Sequence, residues 1–427
     1  MQEQQHAPEK VIITGISRGQ ADFDYTMQEL GELARANNYD VVGESRQNLD
    51  RSTAGYYFGT GKVEEIAELA RAVDATTILV NDELSPSQLR NIERVTKLHV
   101  VDRTQLILEI FANRAQSKTA KTQVEIAQLQ YALPRLHPSA NKLDQQGGGG
   151  GLANRGAGES KLEMDRRVLN KRIARLRQEL KDADVGEEVR RAKRQENELP
   201  VVALVGYTNA GKSTTMNGLL GLYADHPETK QVFEKDMLFA TLDTSVRQIT
   251  LPDHRKFLLS DTVGFVSKLP HKLVDSFKAT LAEAANADLL IQVVDYADPH
   301  YPEMMAVTEK TLNSIGIENV PMIEAYNKAD LRPDTRYPEL NGNQFIYSAK
   351  DPASLAKLVE LIESRVFADN ETNTYLIPFD QGQLVDFINR ETGVISTDYT
   401  AAGTQIKTVV NPIQAGQLRP YLVEDEQ

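Results

Sequence analysis

Eight residues, Gly206-Tyr-Thr-Asn-Ala-Gly211-Lys212-Ser213, have the spacing G-x-x-x-x-G-K-S, and the chemistry that spacing serves is the holding of a polyphosphate. The glycines let the backbone bend tightly, so that N–H groups of Tyr207, Thr208, Asn209, Ala210 and Gly211 turn toward phosphate oxygens. A helix opening at Lys212, Ser213 and Thr214 adds unpaired donors and the positive end of its dipole. Lys212 reaches the β- and γ-phosphates, and the Ser213 hydroxyl ligates Mg²⁺.

Three later stretches complete the chemistry. Asp261-Thr-Val-Gly264 ends an apolar run; its carboxylate holds Mg²⁺ through water and the Gly264 amide meets the γ-phosphate. Asn327-Lys328-Ala329-Asp330 sets the base: the Asp330 carboxylate accepts from the N1–H and 2-amino group of guanine, a pattern adenine does not offer. Ser348-Ala349-Lys350 then closes over the guanine O6. Phe239-Ala-Thr241-Leu-Asp243 has the form of a switch segment, with Thr241 as a further Mg²⁺ ligand. Ras-type enzymes carry a water-orienting glutamine after Asp-x-x-Gly, but here the residue is Phe265, which neither accepts a water proton nor donates to a phosphoryl group. Catalysis then falls to Lys212, Thr241 and the Gly264 amide, with slow turnover expected of the free protein.

Such residues need a scaffold. Val201-Val-Ala-Leu-Val205 reads as a buried strand, residues 247–251 and 256–259 as a hairpin, and residues 289–295 and 344–347 as further strands. Together they make residues 198–366 an α/β nucleotide domain. Ahead of it, strands at 11–16, 40–43, 77–80 and 98–101 alternate with helices at 25–37, 63–73 and from Ser85-Pro-Ser-Gln88 to near Lys97, which implies a small parallel α/β domain over residues 1–103. The Phe58-Gly-Thr-Gly61-Lys62 stretch lacks the first glycine and the hydroxyl of a phosphate loop and reads as a turn.

Residues 104–197 read as a long antiparallel helical hairpin. One helix spans 104–133 until Pro134; the other spans 161–194 with Leu162, Leu169, Ile173, Leu176 and Leu180 as its seam. Between them, Gly147 to Gly151 and Leu152-Ala-Asn-Arg155-Gly-Ala-Gly158-Glu159 read as a loop with no core-forming residues. Basic residues gather here: Arg114, Lys118, Lys121, Arg135, Lys142, Arg155, Arg166, Arg167, Lys171, Arg172, Arg175 and Arg177. They suit an electrostatic footprint for RNA phosphates or, as readily, the solvated face of a coiled coil. Residues 367–427 read as a small α+β domain: a strand at Tyr375-Leu-Ile-Pro378, a helix at 381–391, a hairpin at 393–399 and 405–410, and a short helix after Asn411-Pro412.

Composition narrows the class. The 427 residues carry 48 Lys and Arg against 61 Asp and Glu, a net charge of −13, which argues against indiscriminate nucleic-acid binding, DNA included. No cysteine is present, so disulfides, thiolate catalysis and cysteine-based zinc sites are excluded, and the seven histidines lack ligand spacing. Without a signal-peptide pattern or an apolar run of membrane-spanning length, the chain has the look of a cytosolic protein and not of an integral membrane one.

The phosphate loop, Thr241, Asp261-Thr-Val-Gly264, Asn327-Lys-Ala-Asp330 and Ser348-Ala-Lys resemble those of a translation-factor-class GTPase. Phe239-Ala-Thr-Leu-Asp, Phe265 followed by Lys268-Leu-Pro270, Val101-Asp-Arg-Thr-Gln, Gln128-Leu-Gln-Tyr131, Arg155-Gly-Ala-Gly-Glu and Asp165-Arg-Arg narrow the resemblance to HflX, the ribosome-associated branch of the Obg–HflX GTPases. The chain departs from that pattern at Thr244, where proline is usual, at Glu159-Ser-Lys161 in place of Glu-Thr-Gln, and in a longer polar stretch over residues 225–230. The resemblance implies a monomeric, cytoplasmic, at most peripherally membrane-associated GTPase with GTP, GDP and Mg²⁺ as ligands. It further implies binding to the RNA and proteins of the large ribosomal subunit through the N-terminal domain and hairpin, stimulation of hydrolysis there, dissociation of stalled ribosomes, and ATP binding at an N-terminal site that no motif locates. A P-loop ATPase or nucleoside kinase acting on other RNA is the competing class, and Asn327-Lys-x-Asp330 speaks against it.

Overall fold

A computed structural model describes residues 8–136, 153–196, 199–223, 238–239, 245–269 and 284–423, with backbone alone over 153–160 and 184–196. It divides into two compact units, one of residues 1–191, 236–243 and 265–280, the other of residues 192–235, 244–264 and 281–427.

The first unit is built on four parallel strands in the order β2-β1-β3-β4: β1 (Glu9–Ser17), β2 (Tyr39–Asn48), β3 (Thr77–Val80) and β4 (His99–Asp102). Helices α1 (Phe23–Ala36), α2 (Thr60–Ala72) and α3 (Pro86–Thr96) connect them, as the alternation of strand and helix patterns requires. Ile12, Phe58, Ile66, Ile78, Val80, Ile92 and Val100 form one core. The expected capping box is present: Gln88 N–H donates to Ser85 Oγ at 3.2 Å, and Ser85 N–H to Gln88 Oε1 at 2.9 Å. Strand β2 is longer than its apolar stretch because its solvent-side residues still pair with β1 as far as Ser17↔Asn48. The stretch Phe58–Lys62, read as a turn, is instead the start of α2: Gly59 is its N-cap, and Thr60, Gly61 and Lys62 are already helical.

Two readings of the hairpin are corrected. The helix expected over 104–133 is two helices, α4 (Arg103–Arg114) and α5 (Lys118–Ala132). Ala115 leaves the helical region at ψ 118°, and Ser117 accepts from Ala120 N–H at 3.0 Å, starting a new helix where apolar spacing alone shows none. Second, the expected loop at 152–159 is helical from Ala153, because α6 runs over Ala153–Glu196. Each added helical residue forms one further hydrogen bond, which offsets the cost of about 1 kcal/mol for each of Gly156 and Gly158. Residues 137–152, including the Gly147–Gly151 run and Lys142, lie outside the described residues. Of the expected seam, Ile173 and Leu176 pack with Ile126, flanked by Leu129 and Leu180, while Leu162 and Leu169 lie outside this cluster and are only partly buried.

At the heart of this unit Arg103 is fully buried. Its guanidinium donates to Asn81 Oδ1 at 2.9 Å, to Glu29 Oε2, and to the carbonyl and hydroxyl of Ser267 at 3.1 and 2.9 Å; Ser267 Oγ in turn donates to Glu29. Lys268 pairs with Asp82 at 2.6 Å, and Phe239 is buried edge-on against Phe111 at 4.5 Å between ring centroids. Residues 238–239 and 265–267, which flank the switch motifs in sequence, are thus buried within this unit.

The second unit holds a seven-stranded sheet in the order β10-β11-β9-β8-β5-β7-β6. Its strands are β5 (Val201–Val205), β6 (Ser245–Thr250), β7 (Lys256–Asp261), β8 (Leu289–Asp295), β9 (Met322–Asn327), β10 (Glu339–Asn341) and β11 (Gln344–Ile346). The five inner strands run parallel, and β6 and β10 close the edges antiparallel. Helix α7 (Lys212–Tyr223) and the helix Pro352–Val366 pack on this sheet around Leu204, Ile291, Phe345 and Leu358. β10 was not expected; its residues are all exposed, so no apolar alternation marks it. The unit ends in a three-stranded antiparallel sheet, β12 (Glu371–Ile377), β14 (Gly403–Val410) and β13 (Gly393–Thr400) in that order, carrying the helices Gly382–Glu391 and Pro412–Leu418. A Lys256–Glu391 pair at 2.8 Å ties it to β7.

Candidate nucleotide site

The parallel strands β5, β7, β9 and β11 bring four motifs to one end of the sheet, since each motif begins at or just after the end of its strand. The loop after β5 leaves no room for side chains at its glycines. A Cβ on Gly206 (φ 142°) would lie 2.3 Å from the Val293 carbonyl, and one on Gly211 (φ 95°) 2.2 Å from Asn327 Nδ2. Asn209 takes the left-handed conformation at φ 60°, which asparagine tolerates better than most residues.

Lys212 is buried at the loop's centre and donates to the carbonyls of Gly206 and Tyr207 at 3.1 and 2.7 Å. Burial lowers its ammonium pKa to about 8, against the raising effect of Asp261. Ser213 Oγ donates to Asp261 Oδ2 at 2.6 Å, so the hydroxyl and carboxylate expected to share a metal stand side by side. Among the described residues no group of three or more His, Cys, Asp or Glu is placed to form a metal cage. Gly264 packs against the loop: a Cβ there would lie 2.7 Å from Thr208 Cγ2 and 3.0 Å from Lys212 Nζ.

Asn327 joins the base-reading motif to the phosphate loop. Its amide donates to the Ala210 carbonyl at 2.9 Å and its carbonyl oxygen accepts from Ala349 N–H at 2.8 Å. Ser348 Oγ donates to Asp330 Oδ1 at 2.7 Å, holding the exposed carboxylate. Lys328, left-handed at φ 63°, donates to Asp295 Oδ2 at 2.6 Å. Buried Tyr347 shares a 2.7 Å hydrogen bond with Thr215, which also donates to the Gly211 carbonyl at 2.9 Å.

The structure therefore brings together Gly206 to Thr214, Asp261, Gly264, Asn327, Lys328, Asp330 and Ser348 to Lys350. Phe239 instead lies buried in the first unit, and Thr241 lies outside the described residues. Sequence reasoning missed the Asn327 brace, the Tyr347–Thr215 link and Asp295; only Asp295, an acid at the end of an apolar strand, left a visible signal.

The basic residues of the helical pair divide. Arg135 lies over the Tyr131 ring at 3.4 Å and donates to the Leu84 carbonyl, Arg114 donates to the Ala36 carbonyl, and Arg172 and Arg175 pair with Glu125 and Glu179. Arg166, Arg167, Lys171 and Arg177 are exposed.

Three family models match the chain in order: GTP-binding GTPase N-terminal over residues 24–112, GTP-binding GTPase Middle Region over 114–194, and 50S ribosome-binding GTPase over 201–328. The GTPase HflX of Caldanaerobacter subterraneus subsp. tengcongensis is 39% identical over 99% of this chain and 96% of its own length. The chain belongs to the HflX family. Its Escherichia coli relative, also a GTPase HflX, is 39% identical over 88% of each chain. A GTP-binding protein of Sulfolobus solfataricus, solved in complex with GDP, is 25% identical and aligns over 84% of this chain and 98% of its own, with a TM-score of 0.41. As a member of the HflX family the protein binds guanine nucleotides and hydrolyses GTP. Among the described residues no helix is long and apolar enough to cross a membrane.

Proposed function

We propose that this HflX-family GTPase binds the large ribosomal subunit, is stimulated there, and dissociates or remodels stalled ribosomes. GTP lies with its phosphates in the Gly206–Thr214 loop and its base between Lys328 and Asp330 on one side and Ser348-Ala349-Lys350 on the other. The single observation that supports the nucleotide placement is the Asn327 brace, which hydrogen-bonds the phosphate loop on one side and the Ser348-Ala349-Lys350 stretch on the other. Ser213 and Asp261, with Thr241, would hold Mg²⁺, whose charge would offset that of the phosphates. The chain's own contribution is to cradle the phosphates with loop amides, to place the Lys212 ammonium beside them, and to present the Gly264 amide to the γ-phosphate. An ATP site in the N-terminal unit has no motif to support it and forms no part of the proposal.

The ribosomal half rests on the family model described as a 50S ribosome-binding GTPase, which spans residues 201–328, and on the exposed cations of α6 in an otherwise acidic chain. Co-sedimentation with separated subunits tests it: retention on large subunits with a non-hydrolysable GTP analogue, and release with GDP, is the expected result. Equal distribution between subunits, or no dependence on nucleotide, rejects it.

A further inference from the structure

We propose that Thr208 is a catalytic residue whose side-chain hydroxyl orients the water that attacks the γ-phosphate. The proposal rests on the nucleotide placement given above. Phe265 leaves the usual water-orienting position without a polar side chain, and it is buried in the first unit. Some other group must hold the water.

Three features converge on Thr208. It is the third residue of the phosphate loop. A Cβ added at Gly264 would lie within 3.0 Å of Thr208 Cγ2, Thr208 Cα and Lys212 Nζ, so Thr208 stands where the lysine that reaches the γ-phosphate and the glycine that meets it come together. Thr208 is also only 6% exposed, and its Oγ1 is buried with no hydrogen-bond partner among the described residues. A buried hydroxyl left unpaired is costly, because it has given up its water without gaining a partner. That cost is removed if the hydroxyl is paired in the nucleotide-bound state, at the γ-phosphoryl end of the loop.

In the reaction, the water oxygen forms a bond to Pγ as the Pγ–O bond to the β-phosphate breaks, and that bond's electron pair leaves with GDP. One water O–H donates to Thr208 Oγ1, which turns a lone pair toward Pγ; the water's proton departs with the inorganic phosphate. Threonine does not ionise and acts by orientation alone.

The experiment compares Thr208→Val, which keeps the shape and removes the hydroxyl, with Thr208→Ser, which keeps the hydroxyl. Single-turnover GTP hydrolysis, GDP affinity, and the tightening of GDP by aluminium fluoride are measured for each in the full chain. The valine variant is expected to lose about 10- to 100-fold in rate and most of the fluoride-induced tightening with GDP affinity kept. The serine variant should stay within about threefold of the native rate. Native rate and native tightening in Thr208→Val overturn the proposal. Should valine also weaken GDP, the decision passes to serine against alanine: a rate kept in Ser and lost in Ala supports it, equal rates reject it. Lys212→Ala serves as the control for the placement itself; GDP affinity unaffected by that change withdraws the nucleotide site and the Thr208 assignment with it.

Discussion

Asp330 and Asn327 stand three residues apart and answer for different properties. Asp330 is exposed and held by Ser348, so its carboxylate remains available to two donors on a base edge. Asp330→Asn replaces an acceptor by an amide that donates to a 2-carbonyl, and preference should turn from guanine toward xanthine nucleotides in a competition titration; unchanged GTP preference contradicts the assignment. Asn327 is 2% exposed and makes no use of an open edge. Asn327→Ala removes two buried hydrogen bonds of about 1 kcal/mol each, so GDP should bind roughly tenfold to hundredfold more weakly, with no change in base preference. The motif residues were legible in the sequence because their chemistry is written in residue type and spacing. The special parts of Thr208 and Tyr347 were not legible, since an unpaired hydroxyl and a 2.7 Å hydrogen bond exist only after folding; Asp295 showed only as an acid at a strand end, without its 2.6 Å pair to Lys328.

Local signals sufficed for elements whose ends are fixed by neighbours in sequence. The Ser85–Gln88 box and its counterpart at Asn411–Gln414 start helices where proline follows the cap; the first box was legible, and of the second only the helix start at Asn411-Pro412. The break between α4 and α5 was not, since Ser117 caps a helix inside an unbroken run of helix formers. Arg103 was less legible still. Its partners Glu29 and Ser267 lie 74 and 164 residues away, and nothing nearby marks an arginine for burial. A buried charge stripped of its partner is costly, so Glu29→Ala should destabilise the first unit by about 3–5 kcal/mol, read as a lower urea midpoint. Glu29→Ala together with Arg103→Met should recover much of that loss, and a single variant as stable as the native chain contradicts the buried clasp.

At the scale of the molecule, charge and partner must be reconciled. The chain carries 13 more acidic than basic residues, yet Arg166, Arg167, Lys171 and Arg177 are exposed along α6. If these meet ribosomal phosphates, affinity for large subunits should fall steeply with salt. Arg166→Glu with Arg167→Glu should then weaken binding, reduce the salt slope by roughly one for each phosphate no longer neutralised, and leave GDP affinity unchanged. Arg172, engaged with Glu125, should matter less.

We propose that GTP turnover by the free chain, with apolar Phe265 after Gly264, is slow and is stimulated by the large ribosomal subunit. The most direct test is the rate of GTP hydrolysis by the native chain with and without purified large subunits. Slow hydrolysis alone and strong acceleration by large subunits, lost in Thr241→Ala, is the predicted result. A free protein that already turns over at its fully stimulated rate contradicts it.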